Sequence, residues 1–148
     1  MKNRVFSGIM ALALGLATAA GLQSPRLAHA EDSQAYHQVT YQKTIKVQSK
    51  QKGSADLTIT ALKGYELHTD TPLSVKLSGD KELTLPQSEF NQKDVATRTK
   101  NQVSFKLPFV AGATGKYKLM ADADFYVCSD DACRPIKEQI TWLVEVVN

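Results

Sequence analysis

Apolar and polar residues alternate one by one along stretch after stretch of this chain, and no window of a dozen residues carries a helical repeat. Side chains of an extended strand project to opposite faces in turn, so this period of two demands strands with one buried face. Val39, Tyr41, Ile45 and Val47 alternate with polar neighbours between Val39 and Gln48, where Lys43 is the one charged residue in the apolar phase. The pattern recurs at Leu57–Leu62, Leu73–Leu77, Val103–Leu107, Tyr117–Val127 and Ile136–Val146. Between these runs stand Lys52-Gly53-Ser54, Lys63-Gly64, Thr71-Pro72, Ser78-Gly79-Asp80, Leu85-Pro86 and Ala111–Gly115. Such segments turn the chain through glycine's open backbone, proline's fixed φ or side-chain bonds to the backbone. Seven or more short strands at this spacing predict an all-β domain, an immunoglobulin-like antiparallel β-sandwich, with a closed barrel as the other architecture. The stretch from Gln87 to Gln102 lacks alternation and reads as a long connection, with Phe90 its only aromatic residue.

The amino terminus differs in kind. Lys2 and Arg4 precede an apolar run from Val5 to Leu22, and Ala28-His29-Ala30 has the small-x-small form of a signal peptidase cut. Residues 1–30 are therefore expected to be a cleavable secretory signal. An uncleaved anchor is the competing reading, the run being near the lower limit for a span. Cleavage would leave 118 of the 148 residues, enough for one domain with a sizeable core and too few for two. The segment's charges, Lys2, Arg4 and Arg26, account for the whole net charge of +3. The remaining 31–148 domain is charge-balanced, which argues against nucleic acid or an anionic membrane as partner. A soluble monomer in the periplasm, without stable membrane insertion, is the expectation.

Chemistry concentrates in the only two cysteines, Cys128 and Cys133, which lie between the last two strands with Ser129–Ala132 as a hairpin loop. Continuing the alternation puts both on the polar faces of their strands, across from each other and outside the core. Export to an oxidising compartment lets such a pair be a disulfide. Closing so small a loop restricts the unfolded chain by only about 2 kcal/mol on the chain-entropy estimate. An accessible, exchanging pair and an inert hairpin staple therefore both remain open. Arg134 would lower a thiol pKa here, whereas Asp130 and Asp131 would raise it.

The run Phe125-Tyr126-Val127-Cys128-Ser129-Asp130-Asp131-Ala132-Cys133-Arg134-Pro135, followed by a last strand, resembles the amino-terminal domain of the thiol:disulfide interchange protein DsbD and its free-standing relatives. Lys63-Gly64-Tyr65-Glu66-Leu67-His68, leading into Pro72–Leu77, is similar to that family's Gly-aromatic segment and the strand after it. The resemblance spans roughly residues 39–146, judged by the order of strand signals. It implies an immunoglobulin-like module that takes electrons from a thioredoxin-like or membrane-embedded thiol-disulfide protein and passes them to another protein's disulfide. On that basis Cys128 and Cys133 would carry the exchange, one attacking and the other resolving, and Phe90 would correspond loosely to the cap that shields the family's site. Tyr65 belongs to the matching segment. His68 is a candidate proton carrier near the sulfurs, and Tyr126, on the face of Cys128, a candidate for packing on the disulfide.

Other constellations lack the spacing their chemistry needs. Cys128, Cys133, His37 and His68 do not form a zinc-finger pattern, and Met120 alone outside the signal makes no copper-binding thioether cluster. Asp122 and Asp124 fall on a solvated strand face, where charge protects an edge. No phosphate-binding glycine loop or nucleophile elbow is present, and no cofactor is implied. A non-catalytic binding or assembly module, with the cysteine pair as a staple, is the alternative to an exchange protein.

Overall fold

The computed structural model describes residues 36–148, so the expected signal segment and its cleavage site lie outside the described residues. The alternating runs become strands whose buried positions follow the sequence pattern. In β3 (Lys52–Ala61), Ala55, Leu57, Ile59 and Ala61 are buried, and in β8 (Gln102–Ala111), Val103, Phe105, Leu107, Phe109 and Ala111. β9 (Gly115–Cys128) contributes Leu119, Ala121, Ala123, Phe125 and Val127, and β10 (Cys133–Val147) contributes Ile140, Trp142, Val144 and Val146. These two sets of inward faces close on each other as one core. Each large side chain sheltered there stabilises the fold by about 1.5–3 kcal/mol.

One sheet has the order β1-β3-β8-β5, with β1 (His37–Tyr41) at its edge. Along the far side of β8, β5 (Leu83–Thr84) pairs at one end and β7 (Thr97–Arg98) at the other. The second sheet has the order β2-β10-β9-β4-β6, where β2 is Thr44–Gln48, β4 is Ser74–Gly79 and β6 is Glu89–Asn91. The two separate sheets make this an all-β, immunoglobulin-like sandwich and not the closed barrel that the alternation also allowed. One pairing departs from the antiparallel rule. The single run expected at Val39–Gln48 breaks at Gln42-Lys43, where the chain crosses from one sheet to the other while keeping its direction. β2 therefore lies parallel to β10, Leu143 opposite Thr44 and Val147 opposite Gln48.

The stretch expected to be a bare connection between Gln87 and Gln102 is more ordered than that. It holds β6, a 3-10 turn at Gln92–Asp94 capped by Asn91, and β7. Strands of two or three residues are too short to show a period, which is why the alternation missed them. Phe90 in β6 pairs with Val75 and is only 3% exposed within the core. It supports the sheet from inside and does not cap the cysteines. Among the described residues no helix is long and apolar enough to cross a membrane.

Candidate functional site

β9 and β10 form one long hairpin whose register puts Cys128 directly opposite Cys133 at its closed end. The two are joined as a disulfide, with Cα atoms 3.9 Å apart. Ser129 organises the connecting loop. Its N–H donates to the Ala132 carbonyl at 2.9 Å, and its hydroxyl accepts from the Asp131 and Ala132 amides. The serine hydroxyl, bonding to the backbone two and three residues on, thus lets four residues reverse the chain without disturbing the pair.

The two sulfur-bearing residues are not equivalent. Both stand on the outer face of the sheet, in agreement with the alternation, yet Cys128 is 3% exposed while Cys133 is open to solvent. The expectation that both would be reachable therefore holds for Cys133 only. Cys128 is covered by the segment that follows β3. Leu62 to Tyr65 make a tight turn, the Tyr65 N–H donating to the Leu62 carbonyl at 2.9 Å, with Gly64 at φ 89. That positive φ suits glycine at the third position of a type II turn. The turn delivers Glu66 alongside the end of β9. Glu66 N–H donates to the Cys128 carbonyl at 2.8 Å and Cys128 N–H to the Glu66 carbonyl at 3.0 Å, a one-residue bridge over the outer side of Cys128. Leu67 then turns inward, buried, with its N–H on the Lys100 carbonyl at 3.0 Å.

These contacts enclose a polar pocket of about 520 Å³ lined by Gly64, Tyr65, Glu66, His68, Lys100, Asn101, Cys128, Ser129 and Asp130. Glu66 is its electrostatic centre: one carboxylate oxygen is 2.5 Å from Lys100 Nζ and the other 3.8 Å from His68 Nε2. The hydrogen bond and charge of Glu66, with a smaller contribution from Asp130, raise the Lys100 ammonium above its ordinary pKa of 10.5. On the other flank, Tyr65 meets Tyr36 edge to face at 5.1 Å, and the Arg134 guanidinium lies 4.7 Å over the Tyr36 ring.

Of the residues singled out in the sequence, the structure gathers Tyr65 and His68 into the pocket with Cys128. Tyr126 is half-buried opposite Pro135, in a small crevice with His68, Pro72 and Arg98 and outside the Cys128 pocket. Phe90 belongs to the core. Lys100 and Asn101 come from the connection before β8, and nothing in their spacing could have announced them. His37, considered in the sequence only as one of four possible zinc ligands, lies away from the cysteines. It is the one buried polar residue among those described, with Nε2 2.6 Å from Glu138 Oε1 and Nδ1 without a partner. No group of three or more His, Cys, Asp or Glu among the described residues is placed to hold a metal ion.

No protein-family model matches the chain, and no curated protein matches it in sequence. Its fold is similar to a chain from the complex of zinc 2-glycoprotein and prolactin inducible protein from human seminal plasma. The TM-score is 0.52 at 14% identity, covering 79% of this chain and all of that one. Murine CRIg gives a TM-score of 0.41 at 11% identity, over 76% of this chain and 99% of that one. The major subunit of aggregative adherence fimbriae type I from Escherichia coli gives 0.41 at 9% identity, over 75% and 94%. At these identities the first likeness speaks for the fold alone: the chain is an immunoglobulin-like β-sandwich.

Proposed function

We propose that this protein is an exported, periplasmic thiol-disulfide exchange module that passes reducing equivalents through Cys128 and Cys133 to the disulfides of partner proteins. The observation that carries this reading is the asymmetry of the pair, one sulfur open to solvent at Cys133 and its partner buried at Cys128. Exchange needs an attacking thiolate that a partner can reach and a second thiol that only the first one meets. Cys133 fills the first role and Cys128 the second. The Cys133 thiolate attacks one sulfur of the partner disulfide, forming a mixed disulfide and releasing the partner's other cysteine as a thiolate. The Cys128 thiolate then attacks Cys133 Sγ, the Cys128–Cys133 bond forms, and the partner's remaining cysteine leaves as a thiolate. Two electrons pass to the partner, and water supplies the protons for the two released thiolates. The reverse sequence reloads the module from a thioredoxin-like or membrane-embedded donor. The cysteine hairpin and Gly64-Tyr65 segment, with their resemblance to the DsbD amino-terminal domain, support the same role, as does the signal-like residues 1–30.

The burial of Cys128 also favours one other reading, a binding or assembly module stapled by the pair. Single-cysteine variants separate them. Incubated with a thioredoxin-like protein that keeps only its exposed cysteine, carried as a mixed disulfide with thionitrobenzoate, reduced Cys128→Ser should release thionitrobenzoate and accumulate a protein–protein disulfide through Cys133 that dithiothreitol dissolves, and Cys133→Ser should accumulate none. Absence of an adduct with both variants, while each remains folded, would assign the staple.

A further inference from the structure

We propose that partner proteins dock as an added β-strand along the open edge of β10, which sets the partner's cysteine beside Cys133 in line with Cys128. This rests on the exchange reading above and names what that site recognises: an extended segment of a protein that carries a cysteine.

The backbone groups of β10 point alternately toward β9 and away from it. Both the N–H and the C=O of Cys128 bond to Glu66, so they face away from β10. Cys128 and Cys133 are therefore a non-hydrogen-bonded pair, and the backbone groups of Cys133 face away from β9 as well. With this register the same holds for Pro135, Lys137, Gln139, Thr141 and Leu143. Leu143 finds its partner in the segment entering β2, its N–H donating to the Lys43 carbonyl at 2.8 Å. β2 pairs only from Leu143 to Val147. From Cys133 to Thr141, about 26 Å of strand, the lane beside β10 has no backbone partner among the described residues. Pro135 lacks an N–H and falls on this outward set, the position a sheet edge tolerates.

Opposite this lane runs β1, which has no further strand beside it among the described residues. The Leu62 N–H bonds to the Tyr36 carbonyl, so the next residue, His37, and Val39 and Tyr41 after it turn their backbone groups outward. Between the two edges lies a cleft of about 480 Å³ with Val39, Tyr41, Leu62 and Ile140 in its lining and the His37–Glu138 pair across it. An added strand would bond to β10 and turn alternate side chains into this cleft.

Its position relative to the sulfurs is what ties the lane to exchange. Directly opposed residues on neighbouring strands project from the same face with Cβ atoms about 4.5–5.5 Å apart. Cys128 and Cys133 already stand so. A cysteine in the added strand opposite Cys133 would be the third in the row, with Cys133 central. A thiolate attacks a disulfide along the S–S axis, and this row supplies that alignment without rearranging the hairpin.

The probe is a Thr- and Val-rich peptide of about nine residues, matching the lane at strand rise, with its one cysteine at the carboxyl-terminal end, where an antiparallel strand filling the lane meets Cys133, carried as a mixed disulfide with glutathione. It is offered to the reduced protein. Two forms are compared, one N-methylated at the cysteine and the alternate amides that would face β10, the other at the intervening amides. Losing the ladder bonds should slow release of the peptide thiol about tenfold for the first form relative to the second. Oxidised glutathione, too small to fill the lane, gives the reference rate. Gln139→Pro, which removes an outward N–H and, toward β9, only the exposed side-chain bond to Asp122, should slow the unmethylated peptide and leave the glutathione rate unchanged. Equal rates for the two methylated forms on the unaltered protein would overturn the proposal whatever the variant does. If the pair fails to react even with glutathione, the exchange reading is what falls. The docking is then read with a serine peptide by amide hydrogen exchange: protection of Lys137, Gln139 and Thr141 upholds it, and no protection overturns it. Protection of these amides in the protein alone, rising with its concentration, would give the lane to a second copy and also overturn the proposal.

Discussion

Cys128 and Cys133 share one bond and one sheet face, and differ in what lies beside them. Cys128 is buried and its outward backbone is taken by Glu66, while nothing among the described residues pairs with the outward backbone of Cys133. Once the disulfide is reduced, the two thiols should react with iodoacetamide at rates at least about tenfold apart, Cys133 first, because access limits thiolate chemistry. Peptide mass analysis after brief labelling reads this directly, and equal labelling would contradict the assignment of roles. Glu66 has a second measurable effect. Because its carboxylate raises the Lys100 pKa, Glu66→Gln should move Lys100 back down toward 10.5, visible as an NMR titration of its side chain. The sign follows from the raised pKa: this pair's contribution to stability is complete below 10.5 and is lost as pH climbs through the raised value. Since Lys100 is exposed, that contribution is a small one.

At the scale of strands, the alternation carried most of the fold because burial in a two-sheet core imposes it. Leu57, Ile59, Phe105, Leu107, Leu119, Phe125, Trp142 and Val144 occupy the inward phase of their runs and are all buried. Gly53 reads in sequence as turn punctuation but sits inside β3 opposite Phe109. A Cβ there would come within 2.4 Å of the Phe109 ring, and Phe109 is itself fully buried. Gly53→Val should therefore destabilise the domain by about 1–3 kcal/mol, the usual range for overpacking. Denaturant unfolding followed by the fluorescence of Trp142, the only tryptophan, measures it. The split of Val39–Gln48 into β1 and β2 was not legible, since a chain that changes sheet at Gln42-Lys43 keeps a period of two on both sides. β6 and β7 were hidden by their length. The candidate site was half legible. The cysteine pair and the Gly64-Tyr65 turn announce themselves locally, whereas Lys100 arrives through tertiary pairing and Phe90 was drawn away by the core, which takes buried aromatic side chains wherever the chain offers them.

For the molecule as a whole, the pair at one end of a well-filled sandwich is a poor investment if its purpose is stability alone. Double substitution by serine removes a cross-link around a very short loop, so the loss should be about 2 kcal/mol on chain entropy. A core with Phe105, Phe109, Phe125 and Trp142 fully or almost fully buried should survive that, remaining folded by Trp142 fluorescence at ambient temperature; unfolding of the double variant would mark the pair as structural. The most direct test of the exchange reading is the reduction potential of Cys128–Cys133 in the 31–148 chain, obtained by equilibration in defined thiol buffers, alkylation and mass analysis. A potential above about −250 mV is the expected result and belongs to disulfides that exchange with protein partners. A potential below about −300 mV, where structural disulfides lie, would contradict it.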